Sequence, residues 1–143
     1  MSLDAATSLL DAHHVAHLAT AGDGGPHSAP VFFARLPGTQ QLVWLSAPHP
    51  LHSAHLAADP RAAISVGPSA PSMGLIEGVQ LRGTASIPED EGPARDAWLA
   101  RFPMARPMVA AARDHHFYVF TPTWARLVRT VAGVSMNQEW SFE

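Results

Sequence analysis

Alternating apolar and polar positions run through most of the chain, and a period of two predicts β-strands. The strand-like runs are residues 15–20, 26–36, 41–46, 62–66, 75–87 and 115–120, with one or two more strands within 124–142. In the run 26–36 one face carries His27, Ala29, Val31 and Phe33, and the other carries Ser28, Pro30, Phe32 and Ala34. Because both sets are largely apolar, we expect both faces of this strand to be buried.

Turn residues separate these runs at regular intervals. The sequence DGG at residues 23–25 predicts a hairpin between the first two strands. The sequence LPGT at residues 36–39 places Pro and Gly at the central positions of a type II turn. A loop rich in Pro, Ser and Gly is predicted for residues 67–74.

Helical spacing appears only in short segments. Ser2 is suited to cap a first helix, which should end before residue 15, and a second helix is predicted for residues 51–58. A third helix is predicted to open at Pro88, where three acidic residues would meet its positive end, and a fourth covers residues 105–112. An apolar stripe in the third helix is interpreted as core packing: Ala94, Trp98 and Phe102. Hairpin-joined strands with short helices between them predict a mainly β, α+β fold, a small antiparallel barrel or strongly curved sheet.

Composition narrows the class of protein. A length of 143 residues with 47% hydrophobic content predicts one domain over 1–143 with a proper core. The charge of -3, and the absence of any dense basic run, argue against a nucleic-acid partner. The chain has no cysteine and no lysine, which excludes thiolate and Schiff-base chemistry. No signal-peptide pattern or bilayer-length apolar run is present, so we expect a cytoplasmic protein without a membrane partner.

A candidate anion site lies in the segment 43–66, VWLSAPHPLHSAHLAADPRAAISV. Ser46 ends a strand, Pro48 and Pro50 fix a turn, and His52 and Ser53 fall in the first turn of the predicted helix. Helix N-termini attract anions through free N–H groups and the helix dipole, and hydroxyl and imidazole groups add donors. The pattern predicts a phosphate site here. The alternative is an ordinary short helix that begins after Pro and Ser without a ligand.

A second candidate surface lies on the strand that contains GVQLRG. Gln80 and Arg82 share its polar face, and the amide of Gln80 suits the edge of a flavin or similar heterocycle. Arg82 would pair with an anion or with Glu77. Gly78 and Gly83 indicate a bulge or a close approach of the backbone to a ligand. The alternative is a solvated strand face.

Histidine is abundant, but its pattern does not favour a metal. His49, His52 and His55 recur every three residues, yet His49 precedes the helix and no carboxylate or cysteine cluster completes a ligand set. Five other histidines are interpreted as ordinary surface or core residues: His13, His14, His17, His115 and His116. No nucleophile elbow accompanies Ser53, so a Ser/His/Asp triad is not predicted.

Three stretches in this order resemble the FMN-binding split-barrel proteins related to pyridoxamine 5′-phosphate oxidase, over roughly residues 10–140. They are HLATAGDGGPHSAPVFFARL, LVWLSAPHPLHSAHLAADPRAAISV and GLIEGVQLRGTASI, and the helix end WLARFPMAR resembles an uncharacterised bacterial subgroup. The resemblance implies a six-stranded antiparallel split β-barrel that forms a homodimer, with FMN in a cleft at the subunit interface.

By the same resemblance, the cofactor would meet residues from each of the three stretches. His27, Ala29 and Val31 would lie near the flavin ring. Ser46, His52 and Ser53 would lie near the phosphate. Gln80, with Arg82 beside it, would lie near the ring edge or the ribityl chain. The implied activity is an FMN-dependent oxidoreductase with an unnamed small-molecule substrate or electron donor.

Two departures from the family bear on the chemistry. His52 stands where many relatives have Lys or Arg, and an ordinary pKa near 6.5 would leave the imidazole about a quarter protonated at neutral pH. The basic tail of true pyridoxamine phosphate oxidases is also missing, so oxidation of that substrate is not expected. The alternatives are a deazaflavin-dependent reductase, a haem-binding or haem-degrading split barrel with an axial histidine, and a non-catalytic small-molecule-binding dimer.

Overall fold

One antiparallel sheet curls around a hydrophobic core, and short helices pack against it. The computed structural model describes residues 3–68 and 75–142. Within these residues the helices are α1 (Asp4–Ala12), α2 (Leu51–Ala58), α3 (Gly92–Arg101) and α4 (Arg106–Ala111), with a 3₁₀ turn at Pro103–Ala105. The strands are β1 (Val15–Gly22), β2 (Gly25–Phe32), β3 (Ala34–Arg35), β4 (Leu42–Ser46), β5 (Arg61–Val66), β6 (Leu75–Ser86), β7 (His116–Val131) and β8 (Val134–Ser141).

The strand order is β2-β1-β5-β6-β7-β4-β3, with β8 paired to the second half of β7. The predicted fold class, mainly β with short helices in a split barrel, is confirmed. Six strands from β2 to β4 form a continuous path, as predicted, and the described residues add the two-residue β3 and the hairpin partner β8. The predicted cap at Ser2 and most of the predicted loop 67–74 lie outside the described residues.

The main core lies on the inner face of the sheet. Alternate positions of neighbouring strands supply its buried side chains, including Ala16 and Leu18 in β1, Ala62, Ile64 and Val66 in β5, and Val79 and Leu81 in β6. Leu9 and Leu10 of α1 belong to the same cluster. Each fully buried Val, Leu or Ile side chain contributes about 1.5–3 kcal/mol by leaving water, so the alternation determines which face of each strand points inward.

Only one face of β2 is buried, which corrects the expectation for residues 26–36. Val31 is 9% exposed, whereas Phe32 on the other face is 59% exposed, and Ser28 and Pro30 are exposed with it. The strand is interrupted at Phe33, whose backbone N–H donates to His14 O at 3.0 Å. The reason is that one face packs on the core at Val31, whereas the other face meets Phe102 at Phe32 and is exposed at Ser28 and Pro30.

A second core joins α3 to the sheet. As predicted, the stripe Ala94, Trp98 and Phe102 is buried there, against Ala34, Val43 and Phe117. The helix begins at Gly92, not at Pro88, because Glu91, the residue before it, is bound by β7. Glu91 accepts hydrogen bonds from the Phe117 backbone N–H at 2.6 Å and pairs with His116 Nδ1 at 2.9 Å. This carboxylate therefore attaches the start of α3 to β7.

A β-bulge bends the long pair β6–β7. The register shifts between Arg82, which faces Trp124, and Gly83, which faces Pro122, so Thr123 is the extra residue. A Cβ on Gly83 would lie 2.1 Å from Thr121 O, so only glycine fits this approach of the two backbones. Residues 116–131 consequently form one continuous bent strand, where the sequence predicted separate strands. The bulge explains why residue 83 is glycine, so this glycine does not indicate a ligand.

Candidate functional site

The candidate anion corner forms where β4 ends and α2 begins. Ser46 Oγ lies 2.9 Å from His52 Nε2 and 3.1 Å from Ser53 Oγ, and Ser53 Oγ donates to Ala47 O at 2.9 Å. Ser46, His52 and Ser53 are 7%, 7% and 3% exposed. No side chain caps α2, because its N-cap residue is Pro50. The structure thus brings together the three residues that the sequence assigned to the phosphate, beside a helix N-terminus.

Two more histidines surround this corner from β2 and α2. The rings of His27 and His55 meet edge to face, with centroids 6.1 Å apart. His55 Nδ1 lies 2.9 Å from Thr20 Oγ1, and Gly22 leaves the space for its ring, since a Cβ there would lie 2.4 Å from His55 Cδ2. The sequence did not indicate this contact, because Thr20 and Gly22 lie more than 30 residues from His55.

Burial controls the protonation of His52. Desolvation lowers the pKa of this imidazole below its ordinary value of 6.5, and the neighbouring His27 lowers it further. The free corner therefore presents a neutral imidazole and two hydroxyl groups at pH 7. An anion that binds here would have to raise the pKa of His52 again, by stabilising the imidazolium against the cost of desolvation.

A large cavity opens beside the corner. Its volume is about 720 Å³, within the range of about 300–1,000 Å³ that is usual for small-molecule sites. The corner contributes Ser46, Ala47 and His52 to its wall, and β2 contributes Pro30, Val31 and Phe32. The remaining lining residues are His14, Leu45, Trp98, Arg101, Phe102, Met104, Ala105, Met108 and His115.

Arg101 is the permanent charge in this wall. Its Nη1 donates to Phe33 O at 2.9 Å, and its Nη2 donates to the carbonyl oxygens of Asp11, at 2.9 Å, and of His13 and Leu10. Desolvation lowers the pKa of this guanidinium. The side chain thus joins the end of α1 to Phe33, the residue after β2. Arg101, His14 and His115 could not be predicted as neighbours from the sequence, because they are distant along the chain and meet only in the fold.

Gln80 and Arg82 lie in a different place from the corner. They line a cavity of about 400 Å³ with His17, Ser28, Ser65 and other residues, none of which lines the large cavity. The Arg82 guanidinium lies 4.0 Å from the ring centroid of Trp124. Glu77 pairs with Arg129 at 3.4 Å, so the Arg82–Glu77 pair that the sequence offered is absent among the described residues.

The other residues that the family resemblance assigned to the flavin ring lie on the inner face of β2. His27 and Ala29 are half-buried there, and of this face only Val31 reaches the wall of the large cavity. His49 is exposed and precedes α2. Within residues 3–68 and 75–142, no group of three or more His, Cys, Asp or Glu side chains is arranged to hold a metal ion.

The chain thus folds as a split β-barrel in which a polar corner borders a largely apolar cavity. The family model described as pyridoxamine 5′-phosphate oxidase matches residues 2–129, and the chain belongs to this family. Comparison with curated proteins finds no match. No helix in the described part of the chain is long and apolar enough to cross a membrane.

Solved structures support the same fold. A haem-binding protein from Mycobacterium smegmatis is 27% identical with a TM-score of 0.79, and the match covers 95% of this chain and 56% of that one. An FAD-binding protein from Mesorhizobium loti is 23% identical with a TM-score of 0.69, covering 87% of this chain and 90% of that one. The haem storage protein HutZ from Vibrio cholerae is 16% identical with a TM-score of 0.70, covering 85% and 91%.

Proposed function

We propose that this protein binds FMN in the large cavity, with the phosphate at Ser46, His52 and Ser53, and works as a flavin-dependent oxidoreductase. The observation that carries the proposal is the continuity between corner and cavity, since Ser46 and His52 belong to both. A flavin nucleotide combines a phosphate with a large flat ring, so it matches a polar end and an apolar end in one site. Bound FMN would supply the electron or hydride transfer.

The residues of the corner have the donors that a phosphate requires. The hydroxyl groups of Ser46 and Ser53 would turn from Ala47 O toward the phosphate, and the start of α2 would add its dipole. His52 would bind the phosphate as an imidazolium, because a nearby dianion favours the charged form. The corner contains no Arg or Lys, so we propose that this proton is the main source of positive charge there.

The remaining predicted contacts divide between two surfaces. On the inner face of β2, we propose that Val31 supports the flavin ring, because it is the residue of this face that lines the large cavity. His27 and Ala29 would meet the ring only if it extended beyond that cavity. Gln80 and Arg82 line a separate cavity, so they would reach a flavin only across a subunit boundary. The proposal therefore includes a homodimer, in which each FMN meets the corner of one copy and the Gln80 strand of the other.

The test is FMN titration, followed by absorption and flavin fluorescence. His52→Ala should weaken FMN binding by about tenfold or more, because a hydrogen bond to a charged group contributes about 1.5–3 kcal/mol. His49→Ala is the matched control, since this histidine lies three residues away and is exposed. Equal FMN affinity in the two variants would contradict the proposed phosphate corner.

Haem is the second candidate. Three imidazoles line the cavity, from His14, His52 and His115, and an axial histidine is a common haem ligand. The Mycobacterium smegmatis relative described as a haem-binding protein adds support. Haemin titration distinguishes the two candidates: a Soret band that one His→Ala variant abolishes, without FMN binding, favours haem over flavin.

A further inference from the structure

A buried polar contact joins α2 to the β1–β2 hairpin. His55 Nδ1 lies 2.9 Å from Thr20 Oγ1, and the two residues are 7% and 4% exposed. Thr20 is paired with His27 in the register of the hairpin, and the rings of His27 and His55 meet edge to face. We call the hydrogen bond between the first two residues the His55–Thr20 contact.

Buried polar side chains are concentrated at this contact and at the corner. Leaving Trp and Tyr aside, the buried polar side chains within residues 3–68 and 75–142 belong to five residues: Thr20, Ser46, His52, Ser53 and His55. Three of them form the corner, and the other two form the contact. Replacing both partners of a buried hydrogen bond by apolar groups of the same shape can be nearly neutral for stability. Stability alone therefore does not explain why this pair is polar.

The contact and the corner share one side of α2. His52 and His55 are three residues apart, a spacing that places two side chains on the same face of a helix. Both are buried, together with Ser53 and Leu56, and α2 packs against β1. The apolar packing of Leu56 is not directional, and no side chain caps the helix. A hydrogen bond is directional, so the His55–Thr20 contact can fix the rotation of α2 about its own axis.

We infer that His55 and Thr20 are positioning residues for the phosphate corner. Their hydrogen bond holds α2 in the rotation at which the first turn of the helix meets Ser46. The inference rests on the proposed function, because it concerns the corner to which that proposal assigns the phosphate. Neither residue lines the large cavity, so both would act on the ligand only through α2.

A matched pair of variants at Thr20 tests this inference. Thr20→Val keeps the shape of the side chain and removes the hydroxyl group, whereas Thr20→Ser keeps the hydroxyl group. The measured quantity is the ratio of FMN affinity to riboflavin affinity, because a loss of stability alone affects both ligands alike. Thr20→Val should lower this ratio about tenfold, the effect of losing one hydrogen bond to a charged group, and Thr20→Ser should preserve it.

Gly22→Ala disturbs the same contact from the other partner. A Cβ on Gly22 would lie 2.4 Å from His55 Cδ2, so the imidazole would have to move. No atom lies within 4 Å of a Cβ on Gly24, which makes Gly24→Ala the control. Gly22→Ala should lower the ratio, and Gly24→Ala should preserve it. If wild-type protein prefers FMN, unchanged ratios in both Thr20→Val and Gly22→Ala would overturn the inference.

A measurement without flavin separates this inference from the proposed function. Diethyl pyrocarbonate modifies accessible imidazoles, and mass spectrometry identifies the modified histidines. His52 is buried and hydrogen-bonded to Ser46, so it should react slowly in wild type and in Thr20→Ser. In Thr20→Val it should react about fivefold faster, because a loosened α2 opens locally more often. The exposed His49 gives the internal reference, and thermal melts verify that each variant is folded.

The two measurements give distinct outcomes. If wild-type protein binds FMN and riboflavin equally, the phosphate proposal fails, while faster modification of His52 in Thr20→Val still supports the positioning of the corner. If wild-type protein prefers FMN, but Thr20→Val changes neither this preference nor the modification of His52, the phosphate proposal stands and the inference is wrong.

Discussion

At the scale of single residues, His52 links the candidate site to the stability of the protein. Its imidazole is buried and its folded-state pKa lies below 6.5, whereas in the unfolded chain it should titrate at its ordinary value. Below pH 6.5 the unfolded state therefore binds a proton that the folded state resists. The stability that His52 contributes is fully present above pH 6.5 and is lost as the pH falls toward the lowered pKa.

This loss of stability at low pH leads to a direct prediction for the ligand-free protein. The melting temperature should fall between pH 7 and pH 5 more steeply in wild type than in His52→Gln, because glutamine cannot take up the proton. His49→Gln, at an exposed site, should keep the wild-type slope. Thermal melts monitored by circular dichroism give the three slopes. The interpretation fails if the His52→Gln slope is as steep as that of wild type.

The sequence predicted which residues share a site only where those residues are close together in the chain. Ser46, His52 and Ser53 were assigned to one corner because eight residues of strand, turn and helix contain all three. Arg101 and His115 could not be assigned to the same cavity, because only the packing of α3 and α4 brings them to β4. The lowered pKa of His52 could not be predicted from the sequence either, because desolvation depends on how the folded chain surrounds the imidazole.

At the scale of elements, the bulge in β6–β7 gives the sheet its bend. The close approach at Gly83 leaves no space for a side chain, because a Cβ there would meet Thr121 O and Pro122 Cα at 2.1 and 2.8 Å. These contacts are backbone atoms, so relief requires a shift of one strand. Thr123 Oγ1 donates to Arg82 O at 3.2 Å across the bulge, which further fixes the geometry.

Gly83→Ala should therefore destabilise the protein by about 1–3 kcal/mol, the usual range for overpacking in a filled site. Gly24→Ala is the control, because no atom lies within 4 Å of its added Cβ and its φ is not in the left-handed region. That variant should change stability by less than about 0.5 kcal/mol. Urea unfolding of both proteins measures the difference. Similar unfolding midpoints for the two variants would show that the bulge relaxes freely.

The elements that the sequence predicted correctly are those defined by local rules. The β1–β2 hairpin follows its DGG turn, and the type II turn is present, with Gly38 at a φ of 73° and Thr39 N–H donating to Leu36 O. The errors lie where distant contacts override local preference. Glu91 binds the start of β7 and so delays α3, and β7 continues through Pro122 because the bulge accommodates a proline.

At the scale of the whole molecule, the fold separates two surfaces that the family resemblance assigned to one cofactor. The corner and the large cavity lie between β2, β4 and the helices, whereas Gln80 and Arg82 line another cavity. The sequence order of motifs was sufficient to predict the split barrel. It could not separate these surfaces, because strand order within the sheet is a property of long-range pairing.

The central claim is that the corner recognises a phosphate at one end of a flavin. The most direct measurement compares the affinities of FMN and riboflavin, which differ only in that phosphate, by fluorescence titration at pH 6.5. The proposed site predicts that FMN binds at least about tenfold more tightly, and that His52→Ala removes most of this difference while His49→Ala preserves it. Equal affinities of wild-type protein for FMN and riboflavin would contradict it.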